Sequence, residues 1–154
     1  MANPFPFTAG QVLTAAEMNG IGEALTYTPT YGNFTLGNGT VVARYVRVQK
    51  LVYVGVKIVC GTTTAVTGTS PSLTIPITAQ DANSNRCFGT VWWFDSSAGL
   101  QVYGPISGAT NTQVGFNAFS AGGTYVGISY ATSTTPFILA TGDVIEFAFT
   151  YEAA

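Results

Sequence analysis

The stretch Leu51-Val52-Tyr53-Val54-Gly55-Val56-Lys57-Ile58-Val59-Cys60 decides the fold class. Val52, Val54, Val56, Ile58 and Cys60 fall on one face of an extended chain, and Tyr53, Gly55, Lys57 and Val59 on the other. A period of two residues is the signature of a strand with one buried face. Gln49-Lys50 precedes it as a tight connection, so Thr40 to Val48 becomes the other arm of a hairpin. The same alternation closes the chain, where Ile145, Phe147, Phe149 and Tyr151 interleave with Glu146, Ala148 and Thr150.

Between these ends the pattern repeats in shorter form. Strands are expected at Ser72–Ile75, Arg86–Phe94, Leu100–Tyr103, Thr112–Phe119 and Tyr125–Tyr130, separated by Gly-, Pro- and Thr-rich turns. Seven to nine such strands indicate an all-β sandwich or barrel. The segment before Tyr27 reads differently. Its prolines hold Asn3 to Phe7 extended. Thr14-Ala15-Ala16-Glu17 reads as a capping box opening a short helix that runs to about Leu25, with Val12, Met18, Ile21 and Leu25 as its apolar stripe. The expected division is therefore 1–26, an N-terminal segment with a short helix, and 27–154, the β-domain. The helix needs a surface to pack on. A tether to other subunits and a helix folded on its own domain are both open.

Composition narrows the chemistry. The chain has 154 residues, 47% hydrophobic, with 8% charged against about 25% in an ordinary soluble protein. There is no histidine, which removes His-based triads, His zinc sites and His general bases. Five basic residues cannot neutralise many phosphates, so nucleic acid is not an expected partner. No apolar run approaches the roughly 18 residues of a spanning helix, so no membrane insertion is expected. The carboxylates Asp81, Asp95, Asp143, Glu146 and Glu152 read as turn formers or cross-strand partners rather than an acid–base pair. No Ca²⁺ loop or phosphate-cradling Gly loop is present. The expectation is a non-enzyme with no cofactor and no metal.

The surface is solvated by 23 threonines with Ser, Asn and Gly, and Cys87 to Gly142 carries one charge, Asp95. So neutral an exterior favours association. Four of the five cations, Arg44, Arg47, Lys50 and Lys57, fall in one hairpin. They form either a solvated rim or a patch for acidic residues of a neighbouring subunit or for anionic polysaccharide. Trp92 and Trp93 are adjacent on a strand, so one faces the core and the other an outer partner. With Tyr53, Tyr103, Tyr125 and Tyr130 they are candidates for subunit contacts or sugar stacking. The loops Gly61–Pro71, Gln80–Asn85 and Tyr103–Thr112 are further places for a ligand. Cys60 and Cys87 are expected to be free, buried thiols, with a single bridge as the alternative. No signal peptide is read at Met1 to Gly10.

The opening Pro4-Phe5-Pro6-Phe7-Thr8-Ala9-Gly10-Gln11-Val12-Leu13-Thr14-Ala15-Ala16-Glu17-Met18-Asn19 resembles the N-terminal segment of small tailed-bacteriophage virion proteins. The resemblance continues through Tyr27-Thr28-Pro29-Thr30, Leu36 to Tyr45, Ser70 to Pro76 and Ala140 to Ile145, and so covers nearly the whole chain. Relatives often place Gly in the tight turn where this chain has Gln49-Lys50. The resemblance implies a jelly-roll-like antiparallel β-sandwich behind a short N-terminal α-helix, assembled as a homotrimer on the virion surface. It further implies an anchor to capsid or tail proteins through Phe5, Phe7, Val12, Leu13, Met18, Ile21 and Leu25. Two functions follow. One is a structural component, as a capsid decoration, short head fibre or small tail-attached protein. The other is a receptor- or glycan-binding fibre tip, using Arg44, Arg47, Lys57, Trp92, Trp93, Tyr103, Tyr125 and Tyr130. A polysaccharide-cleaving enzyme is the remotest reading. The chain begins with Met1 and holds no shaft, which fits a small whole product better than a long fibre.

Overall fold

The computed structural model describes residues 9–12, 14–15, 18, 20–80, 88–121 and 126–154. They form twelve strands: β1 (Leu25–Thr26), β2 (Tyr31–Gly32), β3 (Phe34–Thr35), β4 (Thr40–Val48), β5 (Leu51–Val59), β6 (Ala65–Val66), β7 (Ser72–Thr74), β8 (Phe88–Asp95), β9 (Leu100–Thr110), β10 (Gln113–Ala121), β11 (Val126–Tyr130) and β12 (Val144–Glu152). Ten join one antiparallel sheet in the order β1-β4-β5-β12-β8-β9-β10-β7-β2, with β11 beside β10, and β3 pairs β6 separately. The fold is all-β.

The two clearest alternations in the sequence become the centre. β5 pairs β12 over their full lengths, with Val52 opposite Tyr151, Val54 opposite Phe149, Val56 opposite Phe147 and Ile58 opposite Ile145. All eight side chains are buried. Fully burying a side chain of this kind contributes about 1.5–3 kcal/mol, so this matched pair is a large apolar contribution to the sheet.

The sheet curls on itself. β8 and β9 lie between β12 and β10, which a flat sheet would hold about 14 Å apart. Yet Phe116 on β10 meets Phe147 on β12 with ring centroids 4.8 Å apart, and also meets Trp93 at 5.7 Å and Phe34 at 5.9 Å. The bend is made by β9, which changes partners along its length. Leu100–Pro105 pairs β8, and Ile106 onward pairs β10. Gly104 sits at the handover, where an added Cβ would collide with the Asn117 carbonyl. Glycine is the residue that permits this backbone approach.

Two expectations need correcting, and a third is not shown. The strand from Leu100 does not end at Tyr103; it runs to Thr110, so Tyr103–Thr112 is not a ligand-bearing loop. Gly104-Pro105 reads locally as a strand end, but here it marks the change of partner. The helix is not shown by the described residues. The Met18 N–H donates to the Thr14 carbonyl, but residues 20–22 are turn, and Leu25 is in β1 opposite Tyr45. Leu25 therefore belongs to the sheet and not to a helical stripe. The loop Gly61–Pro71 holds β6, paired to β3. Phe5, Phe7, Leu13, Glu17, Cys87, Tyr125 and the loop from Asp81 lie outside the described residues.

Candidate functional site

The outer face of β4, β5, β12 and β8 carries a groove whose shape follows from the strand register. One row across the sheet reads Val42–Lys57–Glu146–Trp92–Tyr103. The next outward row along the strands reads Arg44–Gly55–Ala148–Thr90. The third reads Val46–Tyr53–Thr150. The first and third rows are bulkier, and the middle row is small from Gly55 to Thr90. A channel of about 530 Å³ results, running across the strands. Gly55 and Ala148 form its floor. A Cβ at Gly55 would meet nothing nearer than the Tyr53 ring at 3.9 Å, so the space above it is open.

The walls are aromatic and charged. Trp92 stacks on Phe94, with centroids 5.5 Å apart and 15° between planes, and its Nε1–H donates to Gln101 Oε1 at 3.3 Å. Phe94 thus covers one face of the indole, and its other face borders the groove beside Thr90. Lys57 and Glu146 form an ion pair of 2.8 Å in the wall. Both are half exposed, where such a pair contributes about 0–1 kcal/mol. Arg44 stands at one end and has no ion pair among the described residues.

The expected site residues are redistributed by the fold. Arg44, Lys57, Trp92 and Tyr103 come together on this one face. Trp93 is completely buried, and its Nε1–H donates to the Asn117 carbonyl at 3.2 Å, so it is a core residue and not a contact residue. Arg47 alternates away from Arg44, and its Nε–H donates to the Gln49 carbonyl at 2.6 Å. Lys50 bonds Gln80 Oε1 at 3.0 Å. The basic hairpin is therefore not one patch. Glu146 pairs with Lys57 of its own chain. The floor residues Gly55, Ala148 and Thr90 were not singled out from sequence, although a glycine inside a strand of valines is a signal of close approach.

A second surface lies on β10 and β11. Phe119 is opposite Ile128, and Asn117 opposite Tyr130, so one face of this ribbon presents Phe119, Val126, Ile128 and Tyr130. All four are exposed, Ile128 at 64% and Val126 at 73%. At the N-terminal end Val12, Met18 and Ile21 are also exposed, Val12 at 87%.

Two buried polar groups serve the scaffold. Asp143 accepts from Ser96 N–H at 2.9 Å, Ser96 Oγ at 3.1 Å and Ala140 N–H at 2.7 Å, tying the β8–β9 turn to the start of β12. Cys60 is a buried free thiol whose pKa burial pushes up to about 12, helped by nearby Asp143. Among the described residues no three Cys, Asp or Glu gather as a metal set, and no helix is long and apolar enough to cross a membrane.

No family model, no curated protein and no solved structure matches this chain.

Proposed function

We propose that this protein is a non-enzymatic structural component of a tailed-phage virion, a homotrimeric knob on the particle surface attached to capsid or tail proteins through its N-terminal segment. In this reading the curled sheet is a jelly-roll-like β-sandwich, assembled in the host cytoplasm before it joins the particle. The observation that carries it is the ribbon of β10 and β11. A monomer seldom leaves Phe, Val, Ile and Tyr contiguous on one face of a two-stranded projection, and a subunit contact accounts for that face. The exposed Val12, Met18 and Ile21 suit an anchor that packs on another protein. Light scattering on the full chain at micromolar concentration should give three times the monomer mass; a clean monomer would refute the assembly. A chain lacking residues 1–24 keeps β1 and should remain trimeric but fail to join particles. Normal incorporation of that truncation would sink the anchor.

A second reading is favoured by the groove: a glycan-binding fibre tip. Trp92, Tyr53 and Tyr103 offer flat apolar faces with polar edges near Arg44, which has no ion pair among the described residues; this is the chemistry that stacks and hydrogen-bonds sugars. Binding to a host envelope polysaccharide that is lost in Trp92→Ala would support it. Absence of binding to every envelope fraction would remove it.

A further inference from the structure

We infer that the groove on β4, β5, β12 and β8 selects an acidic oligosaccharide, with a uronate-type carboxylate at the Arg44 end and a neutral sugar against Trp92. This rests on the saccharide-binding reading and names the class of ligand. The argument starts from what the two ends offer. Arg44 makes no ion pair with a carboxylate of the described residues, while the other groove cation, Lys57, is paired with Glu146. Among the described residues the groove thus holds one cation without an ion pair. A guanidinium presents two parallel N–H donors that fit a carboxylate, and a planar acid satisfies it better than a hydroxyl does.

The far end is different. Trp92 presents an indole face held upright by Phe94 and by the bond to Gln101. Such a fixed aromatic face suits the apolar side of an uncharged ring. Arg44 and Trp92 lie three strand spacings apart, about 14 Å, which is longer than one sugar ring. The occupant is therefore an oligosaccharide rather than a monosaccharide. Between the ends the floor of Gly55 and Ala148 leaves room for rings to lie low. Lys57 Nζ and the Glu146 carboxylate line the same wall as donor and acceptor for ring hydroxyls.

Gly55 gives a clean test. Its backbone is not in the left-handed region, and an added Cβ meets only the Tyr53 ring, at an ordinary contact distance of 3.9 Å. Gly55→Val should fold normally, because valine suits a strand, and should fill the floor. The probes are a hyaluronan tetrasaccharide, an oligogalacturonate tetrasaccharide and their carboxyl-methyl esters, titrated calorimetrically into the full chain and followed by amide shifts. At least one acid form should bind, and its ester at least about 10-fold more weakly. Arg44→Gln should reduce the acid form to the level of the ester and leave the ester unchanged. Gly55→Val and Trp92→Ala should weaken acid and ester alike, with circular dichroism and oligomeric state unaltered.

The failures are distinguishable. If acid and ester bind wild type equally and both are lost in Gly55→Val, the saccharide reading stands and the acidic class is wrong. If no probe binds, or binding ignores Gly55→Val, both fall for this groove. If Gly55→Val alters the oligomeric state instead, the groove is a subunit contact and the proposal is overturned.

Discussion

Strand β10 contains two different environments within nine residues. Its first half, Gln113 to Phe116, is flanked by β9 on one side and β7 on the other. From Asn117 onward the registered partner is β11 alone. Phe116 is 0% exposed in a cluster of four aromatic rings, and Phe119, three residues later, is 47% exposed. Both are phenylalanines of one strand. Alternation fixes which residues share a face; only the partner layer decides whether that face is core or interface. The sharpest way to break the comparison is to truncate each. Phe116→Ala should cost about 3–5 kcal/mol in urea melts, through lost burial and the cavity left among Phe34, Trp93 and Phe147. Phe119→Ser should change the stability of a dissociated subunit by about 0.5 kcal/mol or less while shifting the light-scattering mass toward monomer. Equal losses in the two variants would mean that the ribbon is folded into the core of its own chain.

A second contrast lies between two aspartates that hold the same turn, Asp95 from the end of β8 and Asp143 from just before β12. Asp95 is half-buried and accepts from the Ser97 hydroxyl and from the Ser97 and Ala98 N–H groups; the Ser97 hydroxyl chiefly holds its pKa below the usual carboxylate range. Asp143 is fully buried and accepts from the Ser96 and Ala140 N–H groups. Removing it breaks three part-buried hydrogen bonds, each contributing about 0.5–1.5 kcal/mol. Asp143→Ala should therefore lower stability by about 3 kcal/mol, whereas Asp95→Ala should leave the melt nearly unchanged. A mild effect at Asp143 would mean that water reaches the turn.

Much of the centre was legible in the sequence. β5 and β12 read as alternating strands because each has a neighbour on both sides and one wet face, the condition under which a two-residue period is clean. The opposite facings of Trp92 and Trp93 followed from the same rule. What was not legible depends on partners that change along a strand. β9 looked finished at Tyr103, because Gly104-Pro105 has the composition of a turn and nothing local announces a new neighbour. The basic residues of the β4–β5 hairpin looked like a patch because sequence distance hides that Arg44 and Arg47 alternate. The groove was hidden for the same reason. Its floor joins Gly55, Thr90 and Ala148 across three strands, and only the register aligns them.

The buried side of the sheet also predicts a response to alkali that the exposed side does not share. Cys60, Tyr27 and Tyr31 all have pKa values raised by burial, Tyr27 further by the neighbouring Tyr151 and Tyr31. In the unfolded chain the thiol ionises near its ordinary 9.0 and the phenols near 10.0, while the folded chain keeps them protonated to higher pH. A raised folded pKa contributes stability that is complete below the unfolded value and lost as pH rises toward the folded one. Urea midpoints should therefore hold up to about pH 9 and decline from there toward pH 12, and Cys60→Ala should flatten the first part of the decline. A midpoint that is level from pH 8 to pH 11 would show that these groups reach water. In the folded state Cys60 should also resist thiol reagents at pH 8, measured in a Cys87→Ser background, and react once urea unfolds the chain.

The smallest effect sits at the best-paired hairpin. Gln49, in the turn between β4 and β5, has φ 54°, the left-handed region that costs a non-glycine residue about 1–2 kcal/mol. Nothing in the side chain explains its presence there, since the bond at this turn is made by the Gln49 carbonyl, which accepts from Arg47 Nε at 2.6 Å. Gln49→Gly keeps that carbonyl and relieves the backbone. It also frees the unfolded chain, at a cost of about 0.5–1 kcal/mol. The net expectation is a gain of about 0.5 kcal/mol, read as a small rise in urea midpoint with the slope unchanged. A loss would mean that the Gln49 side chain makes a contact worth more than the strain it imposes. Because β4 and β5 pair in register from the turn to Thr40 and Val59, the groove they help to build should be indifferent to this exchange. A Gln49→Gly variant with altered ligand binding would show that the turn and the groove move together.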